Sequence, residues 1–132
     1  MAGRVVHFEI PAEDTDRAKD FYASAFGWDI EPEPEIDYNI VKTAPTDDSG
    51  RPSEPGSING GLFKRQGELK SPIITVEVDD IDAALERIGS LGGTTVSPKE
   101  AVAEMGFAAY FRDCEGNLLG LWQNAAPTGN QA

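Results

Sequence analysis

His7 is the only histidine in a chain of 132 residues, and Glu9 follows it two positions later. In an extended strand, residues two apart point to the same face. An imidazole and a carboxylate side by side can help hold a divalent cation, or hydrogen-bond a small ligand. Glu77, on another expected strand, would complete the one atypical metal set available, His7, Glu9 and Glu77. As a bland alternative, His7 is a cavity or interface residue with a hydrogen-bonded ring. Other chemistry leaves no trace. There is no G-x-S-x-G, no P-loop and no G-x-G-x-x-G, and no serine is spaced to serve His7. The single Cys114 falls in an expected turn, which gives a nucleophilic role little support.

The elements that must position these residues follow from periodicity. Arg4–Ile10 alternates as a strand, with Val6, Phe8 and Ile10 on one face and Val5, His7 and Glu9 on the other. Pro11 is expected to end it. Asp14, Thr15 and Asp16 offer N-caps, and Ala18, Phe21, Tyr22 and Ala25 recur as one helical face. Gly27 is placed to close that helix. Trp28–Glu31, Tyr38–Lys42 and Ser57–Lys64 read as strands. The loop from Ala44 to Gly56, rich in proline and glycine, is either a flap or a solvated excursion. The pattern then restarts. Ile73–Val78 is a strand, and Asp79, Asp80 and Asp82 open a helix carrying Ile81, Ala84, Leu85 and Ile88. After Gly92-Gly93 come strands at Thr94–Val96, Phe107–Arg112 and Asn117–Gln123. Asp113-Cys114-Glu115-Gly116 makes the last hairpin turn, and the tail from Asn124 is expected to fray. The chain is thus strand, helix, three strands, twice, and Gly56–Gly60 answers Gly116–Gly120.

Bulk composition sets limits. The length suits one domain spanning 1–132, and 39% hydrophobic residues suit a globular core. Eleven basic residues face 23 acidic ones, for a net charge of −12. Such a surface repels phosphate backbones and anionic lipid, so neither nucleic acid nor membrane is an expected partner. No apolar run approaches membrane-spanning length, no signal peptide is evident, and a lone cysteine suits a cytoplasmic protein.

The duplicated βαβββ pattern resembles the vicinal oxygen chelate superfamily, which includes glyoxalase I, extradiol dioxygenases and the fosfomycin- and bleomycin-resistance proteins. The match rests on His7-Phe8-Glu9-Ile10-Pro11, Phe21-Tyr22 and Phe26-Gly27-Trp28. In the second half it rests on Val76 to Asp80, Leu91-Gly92-Gly93 and Phe111 to Asn117. The ending Gly120-Leu121-Trp122-Gln123 is similar to a bacterial glyoxalase-related subgroup. The resemblance covers about residues 4–123 and implies an α+β fold. Two tandem modules, about 4–64 and 72–123, would form an open curved sheet or barrel with a central cleft, often completed by a homodimer. It also implies a divalent metal held by histidines and glutamates from the first and last strands of each module.

Here the implied ligand positions are mostly vacated. His7 matches the first. Ile73, Gly60 and Gly120 stand at the others. The leading expectation is therefore a domain that binds a small molecule in its cleft with no metal cofactor, by analogy with drug-sequestering bleomycin-resistance proteins. Its ligand-binding residues would be His7, Glu9, Asn59, Gly60, Thr75, Tyr110, Gly120 and Trp122. The glycines would leave room, or simply permit sheet curvature. Trp122 shares parity with Gly120, whereas Trp28 suits the core. Arg112 could offer a cation from the face of Tyr110, or pair with Asp113 at the surface. Two alternatives stay open. One is a metal-dependent glyoxalase-like lyase or isomerase, or a dioxygenase, built around His7 and Glu9. The other is a structural dimer with a filled cleft.

Overall fold

A computed structural model describes residues 3–34, 36–48 and 51–125. Its elements run in the expected order. The first module holds β1 (Arg4–Ala12), α1 (Thr15–Phe26), β2 (Asp29–Pro32), β3 (Asn39–Lys42) and β4 (Gly60–Lys64). The second holds β5 (Ile73–Glu77), α2 (Ile81–Ser90), β6 (Thr94–Val102), β7 (Gly106–Arg112) and β8 (Leu118–Asn124). The fold is α+β, with the βαβββ unit present twice. The chain divides into two compact units, Val6–Ile73 and Ile74–Ala132 with Met1–Val5. No helix among the described residues is long and apolar enough to cross a membrane.

In the first unit the strands lie in the order β2-β3-β4-β1. The β2-β3 and β3-β4 pairs are antiparallel, and β1 runs parallel to β4. A parallel pair needs a long crossover, and α1 with its two following strands supplies it. Asp14 caps α1 by accepting from the Arg17 N–H at 3.0 Å. Gly27 ends it in the left-handed conformation, φ 72°, donating to the Ala23 carbonyl. Ala12, Ile30, Val41 and Leu62 form the buried core, with Phe8, Ile10, Ala18, Tyr22 and Trp28 packed on it. The apolar face of α1 is narrower than its spacing implies. Ala18 and Tyr22 reach the core, whereas Phe21 is 61% exposed and packs edge-on to Tyr22.

Pro11 does not end β1. The pairing continues through Pro11↔Phe63 and Ala12↔Lys64. Proline removes one backbone donor but leaves the carbonyl and the extended conformation intact. The loop after β3 closes on itself. Thr46 bridges Pro52, the Asp47 N–H donates to the Arg51 carbonyl at 2.7 Å, and the Ser53 N–H donates to the Pro45 carbonyl at 2.8 Å.

In the second unit, β5 pairs parallel with β8, and β8-β7-β6 continue antiparallel. Asp80 caps α2 through the Ala83 N–H, and Ile81, fully buried, joins Ala109, Phe111 and Leu121 in the core. The expected short strand at Thr94–Val96 is in fact nine residues long. Its register slips between Ser97 and Glu100, where Pro98 and Lys99 stand opposite Ala109 alone. A bulge absorbs the proline that hides this strand from a sequence reading. Gly116 takes φ 85° in the last hairpin. Asn124, expected to begin a frayed tail, ends β8, and the Ala125 N–H donates to the Met105 carbonyl. The remaining tail, 126–132, lies outside the described residues.

Candidate functional site

The alternation of β1 sends Phe8, Ile10 and Ala12 into the core beneath α1. His7 and Glu9 therefore point to the opposite face, as their spacing predicts. There they meet Tyr38, which stands just before β3. The Tyr38 hydroxyl donates to Glu9 Oε2 at 2.8 Å and lies 2.7 Å from His7 Nε2. A phenol has one proton. With that proton given to Glu9, His7 Nε2 carries the hydrogen that it donates to Tyr38. This geometry assigns the Nε2–H tautomer and leaves Nδ1 as an acceptor. Burial disfavours the charged ring and pushes the His7 pKa down to about 4, so the imidazole is neutral at pH 7. Glu9 is buried, only 7% exposed. The result is a line of three polar groups, Glu9–Tyr38–His7, within the first unit.

Two residues of β4 hold Tyr38 in place. Phe63, buried, stacks on its ring with centroids 5.8 Å apart. Gly61 lies beneath it, and a Cβ there would overlap the phenol. Gly60 does not share this face. A Cβ on Gly60 would meet the Phe8 ring and backbone, on the α1 side. The expectation that Gly60 faces the His7 side is corrected by one residue: Gly61 takes that place, and its vacancy is filled by Tyr38. A one-residue slip inverts the face of a strand. Asn59 is occupied nearby. Its Oδ1 accepts from the backbone N–H groups of Thr43 and Ala44, at 2.7 and 3.3 Å, pinning the chain after β3. Its buried Nδ2 has no partner among the described residues.

The second unit brings together the other expected residues, on its own face opposite α2. Thr75 pairs with Gly120, and a Cβ on Gly120 would sit 2.9 Å from Thr75 Oγ1 and 3.4 Å from the Tyr110 ring. Trp122 lies across Gly106 and donates from Nε1 to Asn124 Oδ1 at 2.8 Å. Asn124 donates to Glu77 Oε2, and Arg4 bridges Glu77 Oε1, both at 2.8 Å. Arg112 donates to the Gly116 carbonyl at 2.7 Å, bracing the hairpin. In that turn the Asn117 and Glu115 N–H groups and the Asn117 amide hold the Asp113 carboxyl below its usual range. Cys114 is exposed there.

The comparisons with known proteins agree with this architecture. A family model of the bleomycin resistance protein-like N-terminal domain matches residues 4–44. A glyoxylase-like domain-containing protein from Didymella fabae is 28% identical over 122 residues, covering 89% of this chain and 91% of that protein. CFP32 of Mycobacterium tuberculosis, provisionally named a glyoxylase, is 27% identical over 122 residues and 87% of this chain. The chain spans only 43% of the length of that relative. Among solved structures, methylmalonyl-CoA epimerase from Mycobacterium tuberculosis superposes with a TM-score of 0.60 at 19% identity, covering 97% of this chain and 91% of that one. The family model, the relatives and the fold together indicate the vicinal oxygen chelate superfamily.

Likeness to that superfamily implies a divalent metal, and the donors present do not fit one. His7 Nε2 and Glu9 Oε2 are both turned to Tyr38. Glycines, Gly61 and Gly120, stand on the last strands where carboxylates were implied. Glu77, third in the atypical set, is tied to Arg4 and Asn124. Among the described residues no group of three or more His, Cys, Asp or Glu side chains is placed to hold a metal ion. Sequence reasoning missed Tyr38, Gly61 and Phe63. The available signal was the Gly60-Gly61 pair, since one of two adjacent glycines must lie on the His7 face.

Proposed function

We propose that this domain binds a small organic molecule in the manner of a glyoxalase/bleomycin-resistance-like protein, with His7 acting as a neutral hydrogen-bonding group and not as a metal ligand. One observation carries this reading: His7 Nε2 lies 2.7 Å from the Tyr38 hydroxyl, which is itself bonded to Glu9. A ring nitrogen engaged in that way has no lone pair to offer a cation. The remaining nitrogen, Nδ1, belongs to a neutral ring and suits a ligand's hydrogen-bond donor. Metal analysis tests the reading. Protein loaded with zinc, nickel, manganese or ferrous ion and then desalted should retain far less than one equivalent, and His7→Ala should retain the same. Stoichiometric metal that disappears in His7→Ala would overturn it.

The glyoxylase names of the relatives favour a second reading, a metal-dependent lyase or isomerase at the same residues. It requires His7 to turn away from Tyr38 and predicts turnover that rises with added divalent metal and collapses in Glu9→Gln. The metal-retention experiment separates the two.

A further inference from the structure

We propose that Glu9, Tyr38 and His7 form a proton relay whose entry point is His7 Nδ1, and that the ligand is a weak acid with an ionisable O–H, an enol or a phenol. The inference rests on the reading of His7 as a metal-free group. Its basis is the order of the three groups. The two links measure 2.7 and 2.8 Å, short enough for proton transfer along each, and the line runs from a largely desolvated imidazole to a buried carboxylate. No other hydrogen-bond partner for His7 is present among the described residues.

A buried imidazole is a poor base by itself, because taking a proton would create an imidazolium away from water. The relay removes that obstacle. The ligand O–H bond breaks and an Nδ1–H bond forms. The Nε2–H bond breaks as its proton passes to the Tyr38 oxygen, and the former Tyr38 proton passes to Glu9 Oε2. At the end His7 is neutral in its other tautomer, Tyr38 is again a phenol, and Glu9 is a carboxylic acid. The negative charge has moved from Glu9 to the ligand oxygen, with no ion added to the site. The heavy atoms need not move, since each link serves equally well with its donor and acceptor exchanged. His7 would touch the ligand; Tyr38 and Glu9 are positioning residues that act through it.

The lone histidine and a coloured probe allow a direct test. 4-Nitrophenol is titrated with protein in buffer containing EDTA, acidic enough to keep the free phenol mostly protonated. Wild type is expected to develop the phenolate absorption band, saturating with protein. Tyr38→Phe and Glu9→Gln should each weaken the band by about tenfold or more, the scale of one lost hydrogen bond to a charged group. Nitrogen NMR of the single imidazole serves as the companion readout. Saturating wild type with the probe should convert His7 from the Nε2–H to the Nδ1–H tautomer. Should Glu9→Gln fail to fold, Tyr38→Phe alone decides. Absence of a phenolate band with wild type, a band unchanged in Tyr38→Phe, or conversion of His7 to imidazolium would each overturn the relay. A band that is absent in EDTA but develops when the EDTA is replaced by zinc would instead overturn the metal-free reading on which the relay rests.

Discussion

The two modules repeat one βαβββ plan, yet their faces opposite the helices are finished differently. In the first, Gly61 on β4 leaves a space that the Tyr38 ring occupies, and the phenol joins His7 to the buried Glu9. In the second, Gly120 on β8 leaves a space bordered by Thr75 and Tyr110, and the acid of that face, Glu77, is tied to the exposed Arg4. One glycine makes room for a polar line of three groups. The other makes room beside a hydroxyl and a ring, with its charge spent at the surface. The duplication preserves the backbone and lets chemistry diverge, because the fold needs only the helix-facing residues to stay apolar.

The largest expected effect tests the burial of His7. Its folded-state pKa, about 4, lies below the ordinary 6.5, so the unfolded chain takes up the proton first. Stability therefore falls as pH drops from about 6.5 towards about 4, and this contribution is flat beyond both limits. The loss should reach roughly 3 kcal/mol. Urea unfolding across this range checks it by comparing wild type with His7→Asn, which should lack that part of the slope. The second module has no counterpart, since it has no histidine.

Next come the two glycines. Gly61→Ala drives a methyl into the Tyr38 phenol and should cost about 3 kcal/mol, near the upper end for overpacking. Gly120→Ala meets Thr75 Oγ1 at 2.9 Å and should cost only about 1 kcal/mol. Equal losses in denaturant unfolding would erase the contrast between the faces. Smaller still is the contrast between polar deletions. Tyr38→Phe leaves buried Glu9 and His7 short of a partner, for about 1–3 kcal/mol. Glu77→Gln loosens a pairing with an Arg4 side chain that is 68% exposed, for about 1 kcal/mol or less.

Much of this was legible in the residues, and the rest was hidden for definable reasons. The parity of His7 and Glu9 follows from strand geometry. Asp14, Gly27, Asp80 and Gly116 announce their caps and turn by type and position. Gly60 and Gly61 could not be told apart, because two adjacent residues without side chains carry no alternation to fix the register. Tyr38 carries only a strand signal in the sequence. It lies 29 positions from Glu9, and the direction of its ring is set by Phe63 and Gly61, which are contacts of tertiary packing. Thr94–Val102 read as a stub because Pro98 interrupts its pattern, and only the bulge shows how the strand accommodates it.

The central claim is that His7 is a neutral imidazole turned to Tyr38. The most direct measurement is nitrogen NMR of the single histidine at pH 7, with and without excess zinc. The structure predicts the Nε2–H tautomer, unchanged by zinc in wild type and losing its tautomer preference in Tyr38→Phe. An imidazolium, an Nδ1–H tautomer in the ligand-free protein, or a His7 signal shifted by stoichiometric zinc would contradict it.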